Sequence, residues 1–237
     1  MTATAPQQIQ IRTDDGPMPA YRWLPAQGTG PGLVVVQEIF GVSDYIAARA
    51  RDLAAAGYVV VCPDLYWRLP GADLDEQSAD VLDQAMALAA QLPWGQAAAD
   101  TAATLAQLRT DPAVHGGRGL VGFCYGGGLA FQVAAEHDPD VLVSYYGSAL
   151  PDLLHLAGSV TCPSMHHFGT ADTYLPLDVV GDIRQAVTGT EHPAQVELYE
   201  GAGHAFDNPA PAFHHAGASA IAWPRTLAFL AANLGRP

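Results

Sequence analysis

Stretches of unbroken apolar residues alternate along this chain with stretches that mix apolar and polar positions, and the alternation predicts its architecture. Positions 8–12 and 20–23 read as a short antiparallel start. Leu33-Val34-Val35-Val36, within 32–37, has the composition of a strand buried on both faces. Ser43 then caps a helix that runs through Ala56 and stops at Gly57, and 58–62 is the next buried strand. Two alanine-rich helical stretches follow, 75–91 and 96–109, separated at Pro93. Further strands are predicted at 119–123, 141–145, 164–168 and 195–199, with helices over 175–187 and 218–234. Strands and helices in this order form an α/β fold, a doubly wound, mostly parallel sheet with helices on both faces. No linker, repeat or low-complexity tract interrupts the pattern, and 237 residues fit one large α/β domain over 1–237.

Composition narrows the partners more than the fold. Hydrophobic residues make up 49%, enough for a sizeable core. A net charge of −14, with ten arginines and no lysine, repels nucleic acid and anionic membranes. Positions 1–11 lack a basic region followed by an apolar core, and no apolar run is long enough to span a bilayer, so a cytoplasmic protein is expected. Cys62, Cys124 and Cys162 are odd in number and lack CxxC spacing, which indicates neither a disulfide framework nor a zinc knuckle. His166 and His167, adjacent on a strand, point to opposite faces and cannot grip one ion, so no metal is expected.

The most informative motif is Gly122-Phe123-Cys124-Tyr125-Gly126, which follows Leu120-Val121 and opens into a small-residue helix. This is the pattern of a nucleophile elbow, a strand-to-helix turn so sharp that flanking positions must lack a Cβ, with cysteine where serine is usual. At the start of a helix the dipole and free N–H groups favour a thiolate. Asp172, in Gly169-Thr170-Ala171-Asp172, and His204, in Gly201-Ala202-Gly203-His204, each follow a predicted strand. Nucleophile, acid and histidine thus arrive in α/β-hydrolase order, each at the carboxyl edge of the sheet. Asp172 also suits an Asx turn or a helix cap, a purely structural role.

Five blocks together carry a family resemblance: Gln37-Glu38-Ile39-Phe40-Gly41-Val42, Cys62-Pro63-Asp64-Leu65-Tyr66, Gly122-Phe123-Cys124-Tyr125-Gly126-Gly127, Tyr145-Tyr146-Gly147 and Gly201-Ala202-Gly203-His204-Ala205-Phe206. Over about 32–230 the chain resembles the dienelactone hydrolase family of the α/β-hydrolase superfamily, known for carboxymethylenebutenolidase activity. The resemblance implies a triad of Cys124, Asp172 and His204 that cleaves an ester or lactone through a thioester, without metal or organic cofactor. It also implies an acidic helper, Glu38, and an oxyanion hole made by the backbone N–H groups of Ile39 and Tyr125. A carboxylate near the thiol would keep Cys124 protonated, and resistant to oxidation, until substrate arrives.

The chain departs from that pattern where the family binds a substrate carboxylate. Asn208 stands where one arginine would fall, and no basic residue lies between Leu69 and Leu108, where the other is expected. Arg68 is the nearby cation that could substitute. Phe40, Trp67, Tyr146 and Phe206 are the expected apolar lining for a small-molecule ester or lactone. A monomer or small homo-oligomer is expected. Two other readings stay open on the sequence: a redox or stress sensor with an oxidisable elbow cysteine, and an idle hydrolase fold that only binds.

Overall fold

A computed structural model describes residues 5–72 and 74–235. The first four residues, part of the stretch expected to carry no leader, lie outside the described residues, as do Asp73 and the last two. Eight strands form one sheet: β1 Gln7–Thr13, β2 Gly16–Trp23, β3 Gly30–Val36, β4 Val59–Pro63, β5 Val114–Phe123, β6 Val141–Tyr145, β7 Ser164–Gly169 and β8 Ala194–Tyr199. Their order is β1-β2-β4-β3-β5-β6-β7-β8. The pairings β1/β2 and β2/β4 are antiparallel and the rest are parallel.

The period of two along each strand splits the core into two layers. Val34, Val36, Leu120 and Leu142 face one side, where α3 (Trp94–Leu108), α4 (Tyr125–His137) and α6 (Leu177–Thr188) cover them. Leu33, Val35, Val121, Val141 and Val143 face the other, under α1 (Asp44–Ala55) and α7 (Ala216–Asn233). His166 and His167 fall on opposite faces as their adjacency requires, His166 beside Phe131 and His167 stacked on Tyr145. Among the described residues no helix is long and apolar enough to cross a membrane.

Chain direction across the sheet reverses between β3 and β5. The carboxyl ends of those strands, at Val36 and Phe123, therefore open onto a crevice where loops diverge to either side. The stretch predicted as helix from position 75 is turns up to residue 80, and the helix α2 covers only Val81–Ala89. Asp75 accepts from Gln77 N–H at 3.0 Å, capturing the backbone in a turn, and Ser78 occupies the side chain of Asp80, which makes no capping bond at the start of α2. A four-residue helix α5 (Leu150–Leu153) and a 3-10 turn over Leu154–Ser159 were not predicted, and β5 starts five residues earlier than expected.

Candidate active site

The elbow is built as its glycines require. Cys124 sits at φ 52°, ψ −114°, outside the regions an L-residue favours, between β5 and the first residue of α4. Its N–H donates to the Tyr145 carbonyl at 3.0 Å, and its carbonyl accepts from Gly127 N–H at 2.9 Å and Ser148 N–H at 3.2 Å. A Cβ on Gly126 would lie 2.4 Å from the Val36 carbonyl oxygen and 2.5 Å from that of Gln37, and one on Gly122 would lie 2.0 Å from the Gly126 oxygen. Those obstacles are backbone and cannot swing aside. Gly126→Ala is therefore expected to destabilise the fold by about 3 kcal/mol, measured by urea unfolding, because α4 must lift off the end of β3.

Two downstream loops complete the constellation. After β7, Asp172 is buried, and its Oδ1 accepts from Tyr174 N–H at 2.8 Å and Leu175 N–H at 3.0 Å. Its Oδ2 lies 2.7 Å from Nδ1 of His204. The turn-forming and imidazole-orienting roles thus coexist, one oxygen each. His204, from the loop after β8, lies between the rings of Tyr146 and Tyr174 and brings Nε2 to 3.2 Å from Cys124 Sγ. Burial would lower the proton affinity of this imidazole, but hydrogen bonds to Asp172 and Cys124 hold its pKa well above the ordinary value. Tyr146 and Ala205, at φ 36° and φ 55°, add further backbone strain beside the site.

Glu38, just past β3, is only 1% exposed. Burial raises its pKa to about 7, which its hydrogen bonds to Asn208 and Tyr146 only partly offset. Asn208 Nδ2 donates to Oε2 at 2.9 Å and the Tyr146 hydroxyl donates to Oε1 at 3.2 Å. The Tyr146 hydroxyl is also 3.1 Å from that of Tyr45, which donates to Asp207 Oδ2 at 2.7 Å. Three contacts therefore link Glu38, Tyr146, Tyr45 and Asp207 in one buried chain. Burial and the nearby charge of Asp207 favour the neutral acid, and the donors Asn208 and Tyr146 favour the carboxylate. The guanidinium of Arg49 is engaged by Asp207 at 2.7 Å and does not reach Glu38 as a counter-charge.

A cleft of about 680 Å³ opens above the sulfur, lined by Glu38, Ile39, Phe40, Cys124, Tyr125 and His204 on its floor. Tyr125 opens α4, so its N–H has no acceptor within the helix. Of the predicted lining residues only Phe40 reaches the cleft. Tyr146 and Phe206 are fully buried and meet edge to face with centroids 5.4 Å apart, and Asn208 holds Glu38 from behind. Trp67 and Arg68 lie elsewhere. Arg68 pairs with Asp100 at 2.5 Å and Asp15 at 2.8 Å and covers the Trp67 ring at 4.1 Å, in a separate surface groove. It is not placed to bind a substrate carboxylate in the cleft, because two carboxylates hold it in that groove.

Residues not singled out in the sequence supply the large hydrophobic side chains of the remaining wall: Leu82 and Met86 from α2, Tyr174 after Asp172, and Phe213 before α7. The spacing of Leu82 and Met86 was the available signal, but it equally describes a core-facing stripe. Cys62 and Cys162 are buried, and burial is the main cause that raises both thiols, Cys162 to about 12 with help from the charges of Asp140 and Asp138. Among the described residues no group of three or more His, Cys, Asp or Glu could hold a metal ion.

A thiol on a strand-to-helix elbow, facing a histidine and an aspartate from later loops at the switch point of this sheet, is the layout of an α/β-hydrolase. The family model for the dienelactone hydrolase family matches residues 18–234, and the chain belongs to that family. It is 38% identical over 228 residues to a carboxymethylenebutenolidase of Pseudomonas putida, covering 94% of this chain and 95% of the relative. A carboxymethylenebutenolidase of Pseudomonas sp. strain P51 is 36% identical over 214 residues, covering 89% and 88%. A solved structure assigned as a dienelactone hydrolase of Klebsiella pneumoniae subsp. pneumoniae superposes with a TM-score of 0.84 at 28% identity, covering 96% of this chain and 98% of that one. The protein is accordingly a hydrolase acting on esters or lactones.

Proposed function

We propose that the protein cleaves a carboxylic ester or lactone through a thioester on Cys124. The observation that carries this reading is the continuous contact Asp172–His204–Cys124, with an open cleft in front of the sulfur. Sγ attacks the acyl carbon with its proton taken up, or already held as imidazolium, by His204 Nε2, and the carbonyl oxygen gains charge against the N–H groups of Ile39 and Tyr125. Collapse breaks the bond to the departing oxygen, which takes the proton from His204. Water, deprotonated by His204, then attacks the thioester, and the sulfur leaves with that proton. The acid is released and the thiol restored. Acid-quenched enzyme analysed by mass spectrometry should carry the acyl group on the peptide containing Cys124; an oxidisable sensor or an idle binding fold gives no adduct and no burst of product.

Glu38 serves in this scheme as an alternate proton acceptor for the thiol, supported by its place with Cys124 on the cleft floor and by a pKa of about 7, which leaves a carboxylate available near neutral pH that gains affinity for a proton from its burial. Glu38→Gln is expected to slow acylation about 100-fold or more. It should also stabilise the chain at alkaline pH. Its folded pKa, about 7, exceeds the unfolded value of 4.5, so the native state keeps a proton that the unfolded chain releases between those values. Stability from this group therefore falls as pH rises from 4.5 to 7, by up to about 3 kcal/mol. Thermal unfolding should place the variant above wild type at pH 8 and level with it at pH 4. Unchanged acylation removes Glu38 from the proton path.

A further inference from the structure

The wall of the cleft presents more apolar surface than folding requires. α2 buries Ala85 and Leu88 against the core, yet Leu82 and Met86, one turn apart, remain 38% and 52% exposed and both line the cleft. Tyr174, 62% exposed, lines it from the loop after Asp172. Six large hydrophobic side chains are exposed among the described residues, and these three of them converge on one cleft. Such a concentration marks a binding surface, whereas single exposed leucines do not. Phe213, whose ring centroid is 6.0 Å from that of Phe40, continues the apolar wall toward the oxyanion side.

Charge fixes the chemistry of the occupant. Among the described residues, the ionisable groups on the cleft wall besides the thiol and the two tyrosines are Glu38, His204, His214 and His215, and no arginine is among them. An anionic substrate would meet no guanidinium there and would approach a chain of net charge −14. The wall is continuous with the floor that holds Cys124, so whatever covers it is part of the molecule being cleaved. A volume of about 680 Å³ accommodates a substituent well beyond a small ring.

We propose that Leu82, Met86, Tyr174 and Phe213 form a subsite for an uncharged alkyl or aryl arm of the substrate, which makes the enzyme selective for neutral hydrophobic esters or lactones over carboxylated ones. The inference rests on the ester-hydrolase reading of the same cleft. It is tested with 4-nitrophenyl esters from acetate to octanoate, alkyl acetates from methyl to hexyl, and mono-4-nitrophenyl glutarate set against the hexanoate. In at least one series kcat/KM should rise about two- to four-fold per methylene, and the series that rises tells which side of the scissile bond the arm occupies. Hexanoate should exceed glutarate at least about ten-fold, and Met86→Arg should cut that ratio at least about ten-fold while Met86→Leu preserves it. Melting temperatures confirm that the variants are folded. A flat response in both series, a preference for glutarate, or an unchanged ratio in Met86→Arg overturns the subsite alone. Failure of every ester to acylate Cys124 overturns the hydrolase reading beneath it.

Discussion

Replacing Cys124 by alanine should lower kcat by about 10⁴- to 10⁶-fold on any ester the wild type turns over, and should abolish the acyl adduct. The variant keeps the cleft, the N–H groups of Ile39 and Tyr125 and the imidazole, so any residual rate comes from binding and oxyanion stabilisation without a nucleophile. The fold should not suffer. Cys124 occupies φ 52°, ψ −114°, a conformation costing on the order of 1–3 kcal/mol for a residue with a Cβ. Cys124→Gly relieves that strain against a loss of about 0.5–1 kcal/mol from glycine's greater freedom when unfolded, so it should unfold at higher urea than wild type by about 1 kcal/mol. A site residue whose removal stabilises the chain is held there for chemistry. Survival of activity in Cys124→Ala would assign the nucleophile elsewhere.

Much of this arrangement is legible in the sequence because it depends on backbone geometry that few residues permit. The apolar run Leu33-Val34-Val35-Val36 is buried on both faces as its composition requires, and Gly122 and Gly126 bracket Cys124 where a Cβ would strike carbonyl oxygens. Asp172 and His204 follow strand ends that end side by side on the sheet, so chain order alone brings them toward the sulfur. What the sequence leaves open is which side of an apolar residue meets solvent. Tyr146 and Phe206 flank the site in sequence yet turn into the core, whereas Leu82 and Met86 carry a core-like spacing and face the cleft. Arg68 is misplaced for a similar reason. Its partners Asp15 and Asp100 come from distant parts of the chain, and their pull on the guanidinium exists only after folding.

Asp172→Asn should reduce kcat about 10⁴-fold, as the equivalent change does in a serine-protease triad, while leaving the turn intact. The amide oxygen can still accept from Tyr174 and Leu175 N–H, which leaves its NH₂ facing His204 Nδ1. Donating there forces the imidazole proton onto Nε2, the nitrogen that must be free to take the thiol proton from Cys124. The pH dependence of stability provides an independent check. The folded imidazole is held well above its unfolded value of 6.5, so its contribution is fully present below pH 6.5 and is lost as pH rises through the raised folded value. Removing the Asp172 charge removes the hydrogen bond that raises it. The destabilisation of Asp172→Asn relative to wild type should therefore be larger at pH 6 than at pH 10 in thermal unfolding. Asp172→Ala, which also strips the turn of its acceptor, should add a loss of about 1–3 kcal/mol at both pH values. An aspartate that only shaped the turn would instead leave Asp172→Asn active, with the same stability difference from wild type at either pH.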